Sequence, residues 1–175
     1  IRKIRVGVVT ECVQSDLVEP ETQAAVKLAI ETIKKSGATV KDVSIPMIVQ
    51  AGSIYWGATV LESATVHYQN IRHRQNEYDY NMQVALLAGS LVPSQTYFKS
   101  QKLRQVLRQQ TLESLEDVDV LVLPTQLSPA APLVDKPGVG TKEQVKATFQ
   151  GTNFTAPANL VGLPALSVPC GFSSG

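Results

Sequence analysis

The thiols and imidazoles, the side chains whose ordinary pKa values best suit them to act as nucleophile and base near neutral pH, are few and do not group along the chain. Cys12 and Cys170 are its two cysteines, and His67 and His73 its two histidines. A thiol nucleophile needs a base within hydrogen-bond reach, and both histidines fall in a helix-like stretch far from either cysteine. The cysteines show neither Cys-x-x-Cys nor Cys/His spacing, which argues against a metal site or a redox dithiol. Both read as ordinary buried thiols beside strands. Glu62, with Arg72 and Arg74 downstream, reads as an ion-pair or cap partner rather than an acid catalyst. Asp119 interrupts an apolar strand and reads as a carboxylate bonded to nearby backbone. Ser173-Ser174-Gly175 offers hydroxyls without surrounding glycines or a matching earlier lysine, and reads as a turn.

Binding, rather than bond making, is therefore the chemistry to expect of the most distinctive segment, Phe154-Thr-Ala-Pro-Ala-Asn159-Leu-Val-Gly162-Leu-Pro164-Ala-Leu-Ser-Val-Pro169-Cys-Gly171. Pro157 and Gly162-Leu163-Pro164 rule out a long regular element. Ala165 to Val168 is apolar enough for a buried strand ending at Pro169. Backbone brought close to something by glycine and proline implies a pocket wall.

The elements that must position this segment follow from periodicity. Ile4 to Val9 is a β-branched apolar run and predicts a buried strand. Glu19-Pro20-Glu21 opens a helix in which Ala25, Leu28, Ala29 and Ile33 recur until Gly37 stops it. Val40, Val43 and Ile45 form a second strand closed by Pro46. Strand, helix, strand is the signature of a βαβ unit and hence of an α/β layered fold.

From Met47 to about Asn76 the pattern is helical, with Ile54, Ala58, Leu61, Thr65 and Tyr68 near one face and Gly52 and Gly57 weakening its start. Asn81 to Leu87 makes a short helical turn. Ser94 is expected to cap a long amphipathic helix carrying Phe98, Leu103, Val106, Leu107 and Leu115. Val118 to Leu123 is a third strand, and Gln126 to Gly140 a Pro/Ala/Gly-rich loop of the kind that is usually functional or covered by a partner.

The 175 residues suffice for one domain that hides roughly 70% of its unfolded surface, and 43% of them are hydrophobic. Sixteen Lys+Arg against fifteen Asp+Glu leave a formal charge of +1. No run of like charge marks a nucleic-acid or membrane surface, and Arg72-His73-Arg74 reads as a solvated helix end. The sequence shows neither an eighteen-residue apolar run nor a leader pattern, so a cytoplasmic protein is the expectation. The whole reads as a single unit, 1–175.

The terminal segment resembles the C-terminal region of the amidase signature family, whose members carry a Thr-x-Pro-x-Asn-Leu-x-Gly-x-Pro-x-x-Ser-x-Pro run. Thr155, Pro157, Asn159, Leu160, Gly162, Pro164, Ser167 and Pro169 match it. The opening strand, the Glu19-Pro20-Glu21 helix start, the Gly37 to Pro46 turn, Glu62, the helix holding Tyr97 and Asp119 to Thr125 with Ala130 and Pro132 are similar in the same order.

The resemblance implies an α/β/α layered fold with a mixed sheet, and a hydrolase that converts a carboxamide to acid and ammonia through an acyl-serine. In that family the nucleophilic serine, a second serine on a cis peptide and a lysine belong to a region upstream. These residues are therefore expected to be the C-terminal fragment of an amidase domain, inactive alone and completed by an N-terminal half. Catalytic residues, metal and cofactor are expected to be absent from it.

By the same resemblance Asn153, Phe154, Thr155 and Thr152 are candidates for contact with a small-molecule amide, as are Tyr55 and Trp56. The bland readings are a core aromatic for Phe154, a turn-capping hydroxyl for Thr155 and a buried aromatic stripe for Tyr55-Trp56. The A subunit of the related tRNA-dependent amidotransferases is the alternative, and only there would tRNA be a partner. Its usual acid five residues before the first motif proline is Thr152 here, and Val66 to Glu77 lacks its Arg/Phe/Gly-rich segment, so a general amidase is favoured. A non-catalytic α/β interaction module is a further alternative, and a homodimer is possible under any of them.

Overall fold

A computed structural model describes residues 3–130 and 142–173, with the backbone alone for 143–145 and 147–149. Ile1, Arg2, Ser174 and Gly175 lie outside the described residues, as do Pro132 and most of the loop expected to end at Gly140.

The chain opens with β1 (Arg5–Val9), runs through the short α1 (Thr10–Val13) and α2 (Pro20–Lys35), and returns in β2 (Thr39–Val43). The α2 boundaries are those its sequence dictates. Pro20 occupies the first helical position, where its missing N–H costs nothing, Glu21 lies in the first turn, and Lys34 and Lys35 complement the dipole at the other end. Gly37 then turns the chain with a φ of 95°, a conformation that side chains with a Cβ resist. The buried stripe of α2 is Val26 with Ile30 packed beside it, so Leu28, expected inside, stands exposed.

Pro46–Gln50 forms a 3-10 turn that leads into α3 (Ala51–Val66), α4 (Tyr68–His73), α5 (Tyr80–Leu91) and α6 (Ser94–Ser114). The single long helix expected from Met47 to Asn76 is thus broken at His67, and of its expected face Ile54 and Ala58 are buried while Thr65 and Tyr68 are exposed. Asp79 caps α5 by accepting hydrogen bonds from the amides of Asn81 (3.0 Å) and Met82 (3.1 Å). Ser94, expected as a cap, is instead the first residue of α6 behind Pro93. The buried line of α6 runs through Ser100, Leu107 and Thr111, and Phe98 and Val106 point outward. β3 (Val120–Val122), α7 (Lys142–Thr155) and α8 (Pro157–Val161) complete the order.

The three strands make a sheet in the order β2-β1-β3. Both pairings are parallel, in register Val6 to Val40 and Val6 to Val120. The sheet expected to be mixed is therefore parallel throughout its described pairings. Alternation along β1 sorts the two layers. Val8 faces Val26 of α2, while Val9 joins a larger core with Ile45, Ile48, Ile54, Leu107, Phe154 and Leu160 from the helices on the other face. This is the α/β layering expected from the βαβ pattern, in the α/β/α arrangement the family resemblance implies.

Candidate active-site cleft

Parallel strands end together, and the turns that follow them make a crevice at the carboxyl edge of the sheet where α/β proteins bind ligands. Here a cleft of about 350 Å³ lies beyond β1 and β2. One wall comes from Glu11, Cys12, Ser15 and Leu17 after β1, and another from Ile48, Val49, Gln50 and Ser53 after β2. The side facing them is the α7 flank bearing Lys146, Gln150, Asn153 and Phe154.

Glu11 is locked in place. Its carboxylate accepts hydrogen bonds from Ser44 Oγ and, at 3.3 Å, from Thr10 Oγ1, and Thr10 Oγ1 also reaches the Val43 carbonyl at 3.2 Å. Burial disfavours its charge, but the bonds from Ser44, the Ile45 and Glu11 amides and Thr10 outweigh that and hold the carboxyl below the usual glutamate range. The group thereby ties the end of β1 to the end of β2. Beside it the buried Cys12 thiol is pushed up to about 12, first by burial and then by the Glu11 charge, so it stays protonated at neutral pH.

The expected contact residues separate on α7. Asn153 and Phe154 line the cleft. Asn153 Oδ1 also accepts from the Gly52 amide at 2.7 Å, satisfying an N-terminal donor of α3, and Phe154 is buried in the core. Thr152 turns toward α3, where its hydroxyl accepts from Trp56 Nε1 at 3.2 Å. Tyr55 packs on the core and meets the Trp56 ring edge-on at 5.6 Å. Thr155 ends α7 exposed to solvent.

Several expectations are corrected. Glu62 forms neither an ion pair nor a cap among the described residues but accepts from Tyr97 Oη at 3.1 Å and Gln101 Nε2 at 3.5 Å, both on α6, while Arg72 donates to Tyr68 Oη and Arg74 pairs with Glu77. Cys170 is exposed rather than buried, as are Ala165 to Val168, which form no strand. An apolar run becomes a buried strand only when a neighbour supplies the ladder. Asp119 does bond backbone, but across the sheet: it accepts from the Arg5 amide at 2.7 Å and from the Arg5 guanidinium at 2.7 Å. Arg72 and Arg74 lie at an exposed helix end as expected.

Sequence reasoning missed the clasp that holds the terminal segment. Arg104 Nε donates to the Leu160 carbonyl and an Arg108 Nη1 to that of Val161, at the C-terminus of α8 where Gly162 takes a φ of 69°. Their i,i+4 spacing on one helix was the available signal. Glu11 was missed too, although an acid directly after the first predicted strand of a βαβ unit stands where ligands gather.

Among the described residues no group of three or more potential metal ligands occurs, and no serine or cysteine is hydrogen-bonded to a histidine or lysine. The arrangement can bind and orient a ligand.

A layered α/β domain with a cleft at the carboxyl ends of its parallel strands is an enzyme-like architecture. The chain belongs to the amidase family, whose sequence profile matches residues 1–175. It is 32% identical over 159 residues, 90% of its length, to an amidase of Pseudomonas putida, of which it covers 34%. It is 27% identical over 195 residues to the A subunit of the glutamyl-tRNA(Gln) amidotransferase of Synechococcus sp. (strain CC9311), covering 98% of this chain and 39% of that protein. A crystal structure of an amidase shares its fold with a TM-score of 0.77 at 23% identity, over 96% of this chain and 39% of that one. The chain thus spans between a third and two-fifths of the length of these relatives. No helix among the described residues is long and apolar enough to cross a membrane.

Proposed function

We propose that these residues form the pocket-wall portion of an amidase that hydrolyses a carboxamide to acid and ammonia through an acyl-serine. The observation that carries this reading is the cleft at the carboxyl ends of β1 and β2, walled by Asn153 and Phe154 immediately before the Thr155 to Pro169 motif. The nucleophilic serine, the second serine and the lysine are supplied by the remainder of the amidase domain, which is the principal partner of this segment. The 175 residues alone are inactive, since acyl transfer needs an activated nucleophile and an oxyanion site.

The alternative is the A subunit of a tRNA-dependent glutamine amidotransferase, in keeping with the second relative's name. Thr152 speaks for the amidase. It stands where those subunits usually have an acid, and its hydroxyl is engaged by Trp56. Labelling with a serine-directed fluorophosphonate tests the assignment. The full-length protein should gain one adduct, mapped by peptide mass to a serine outside residues 1–175. An adduct within these residues that abolishes turnover would overturn it.

A further inference from the structure

Resting on the amidase reading, we infer that the cleft receives an uncharged apolar acyl or aryl group of its substrate, with Leu17 and Val49 as the rim residues that set the preference. Its floor is apolar, with Ile48, Phe154 and Cys12 all buried. A protonated thiol there behaves as a small hydrophobe. Leu17 and Val49, 41% and 48% exposed, are apolar side chains left open to water on a concave surface, the area a ligand would cover. About 350 Å³ is toward the small end of ligand sites, which suits one compact group.

The charges of the cleft point the same way. Lys146 is its ammonium and Glu11 its carboxylate, and two opposite charges leave no single-sign field to attract an ion. The Glu11 oxygens are already engaged by Ser44 and Thr10, which leaves little capacity to recognise an added ammonium. Shape and apolar area therefore select, and a zwitterionic amide such as glutamine is disfavoured because its charges would lie against the apolar floor of Ile48, Phe154 and Cys12.

The test is a titration of the isotope-labelled 175-residue chain with benzamide and with glutamine, followed by NMR. Benzamide should shift the signals of Leu17, Ile48, Val49 and Phe154 saturably, and glutamine should not. Leu17→Asp and Val49→Asp, both at exposed positions, should each weaken benzamide roughly fivefold or more; Leu28→Asp, on exposed α2, should change nothing. Shifts scattered over the surface, indifference to both rim variants, or equal saturation by glutamine would overturn the inference.

A second measurement covers poor behaviour of the short chain: in the full-length protein, Val49→Asp should lower kcat/KM for benzamide by a similar factor. If the full-length protein hydrolyses no amide while benzamide still saturates the cleft, the amidase reading falls and the cleft assignment stands. Hydrolysis with a selectivity unmoved by the rim variants does the reverse: the amidase reading stands and the cleft assignment falls.

Discussion

Glu11 shows how one side chain makes a cleft wall rigid. Four hydrogen-bond donors converge on a partly buried carboxylate, and their preference for the charged form exceeds the penalty of burial. Because its folded pKa lies below the ordinary 4.5, Glu11 contributes stability that is fully present above that value and is lost as the pH falls through the folded pKa. Glu11→Gln should therefore be less stable than the parent at neutral pH and lose less on acidification from about pH 5 downward, by urea unfolding across the pH range. Parallel curves for the two proteins would contradict this. The two cysteines provide an independent check. Cys12 is buried and protonated, whereas Cys170 is exposed. A thiol reagent at pH 8 should modify one cysteine of the folded 175-residue chain rapidly, Cys170 by peptide mapping, and Cys12 only on unfolding.

Helix packing on α3 depends on glycine more than the sequence pattern suggested. Gly57 reads from the sequence as a weak point of its helix, yet it and Gly89 each mark a close approach. A Cβ on Gly57 would strike Ser100 of α6, and one on Gly89 would strike the backbone carbonyl of Val60 on α3. Gly89→Ala should gain about 1 kcal/mol of helix propensity and still destabilise the protein, since overpacking against backbone that cannot yield costs about 1–3 kcal/mol. Thermal unfolding of the variant measures the balance, and an increased Tm would show that α3 and α5 can separate freely. At this scale the βαβ unit was legible because Pro20, Gly37 and Pro46 punctuate it and β-branched runs fill its strands. The helical α7 and α8 were not, because Thr155, Pro157 and Gly162 read as turn chemistry while in fact Pro157 starts one helix and Gly162 ends it. The cleft was half legible. Asn153 and Phe154 stood beside a recognisable motif, but Glu11, Arg104 and Arg108 act through contacts between residues distant in sequence, which no local pattern records.

Taken whole, the molecule keeps two apolar faces open. On α5, Tyr80, Val84, Leu87 and Leu91 recur at spacings of four and three and are all exposed, a helical stripe that packed helices normally bury. Along the terminal segment Leu166, Val168 and Phe172 alternate, with Leu166 87% and Val168 68% exposed. The Thr125 and Ser167 hydroxyls, 3.3 Å apart, hold that segment near the end of β3 without a ladder. The chain spans about a third to two-fifths of its relatives' length, and the proposed function assigns these open apolar faces to contact with the remaining part of an amidase domain. Under the proposed function the 175 residues are a wall without a catalyst. Ammonia release from a neutral carboxamide, measured side by side for the full-length protein and for the 175-residue chain, tests this most directly. Turnover by the full-length protein alone, abolished by fluorophosphonate, is the expected result; turnover by the 175 residues on their own, or none by the full-length protein across a panel of neutral amides, would contradict it.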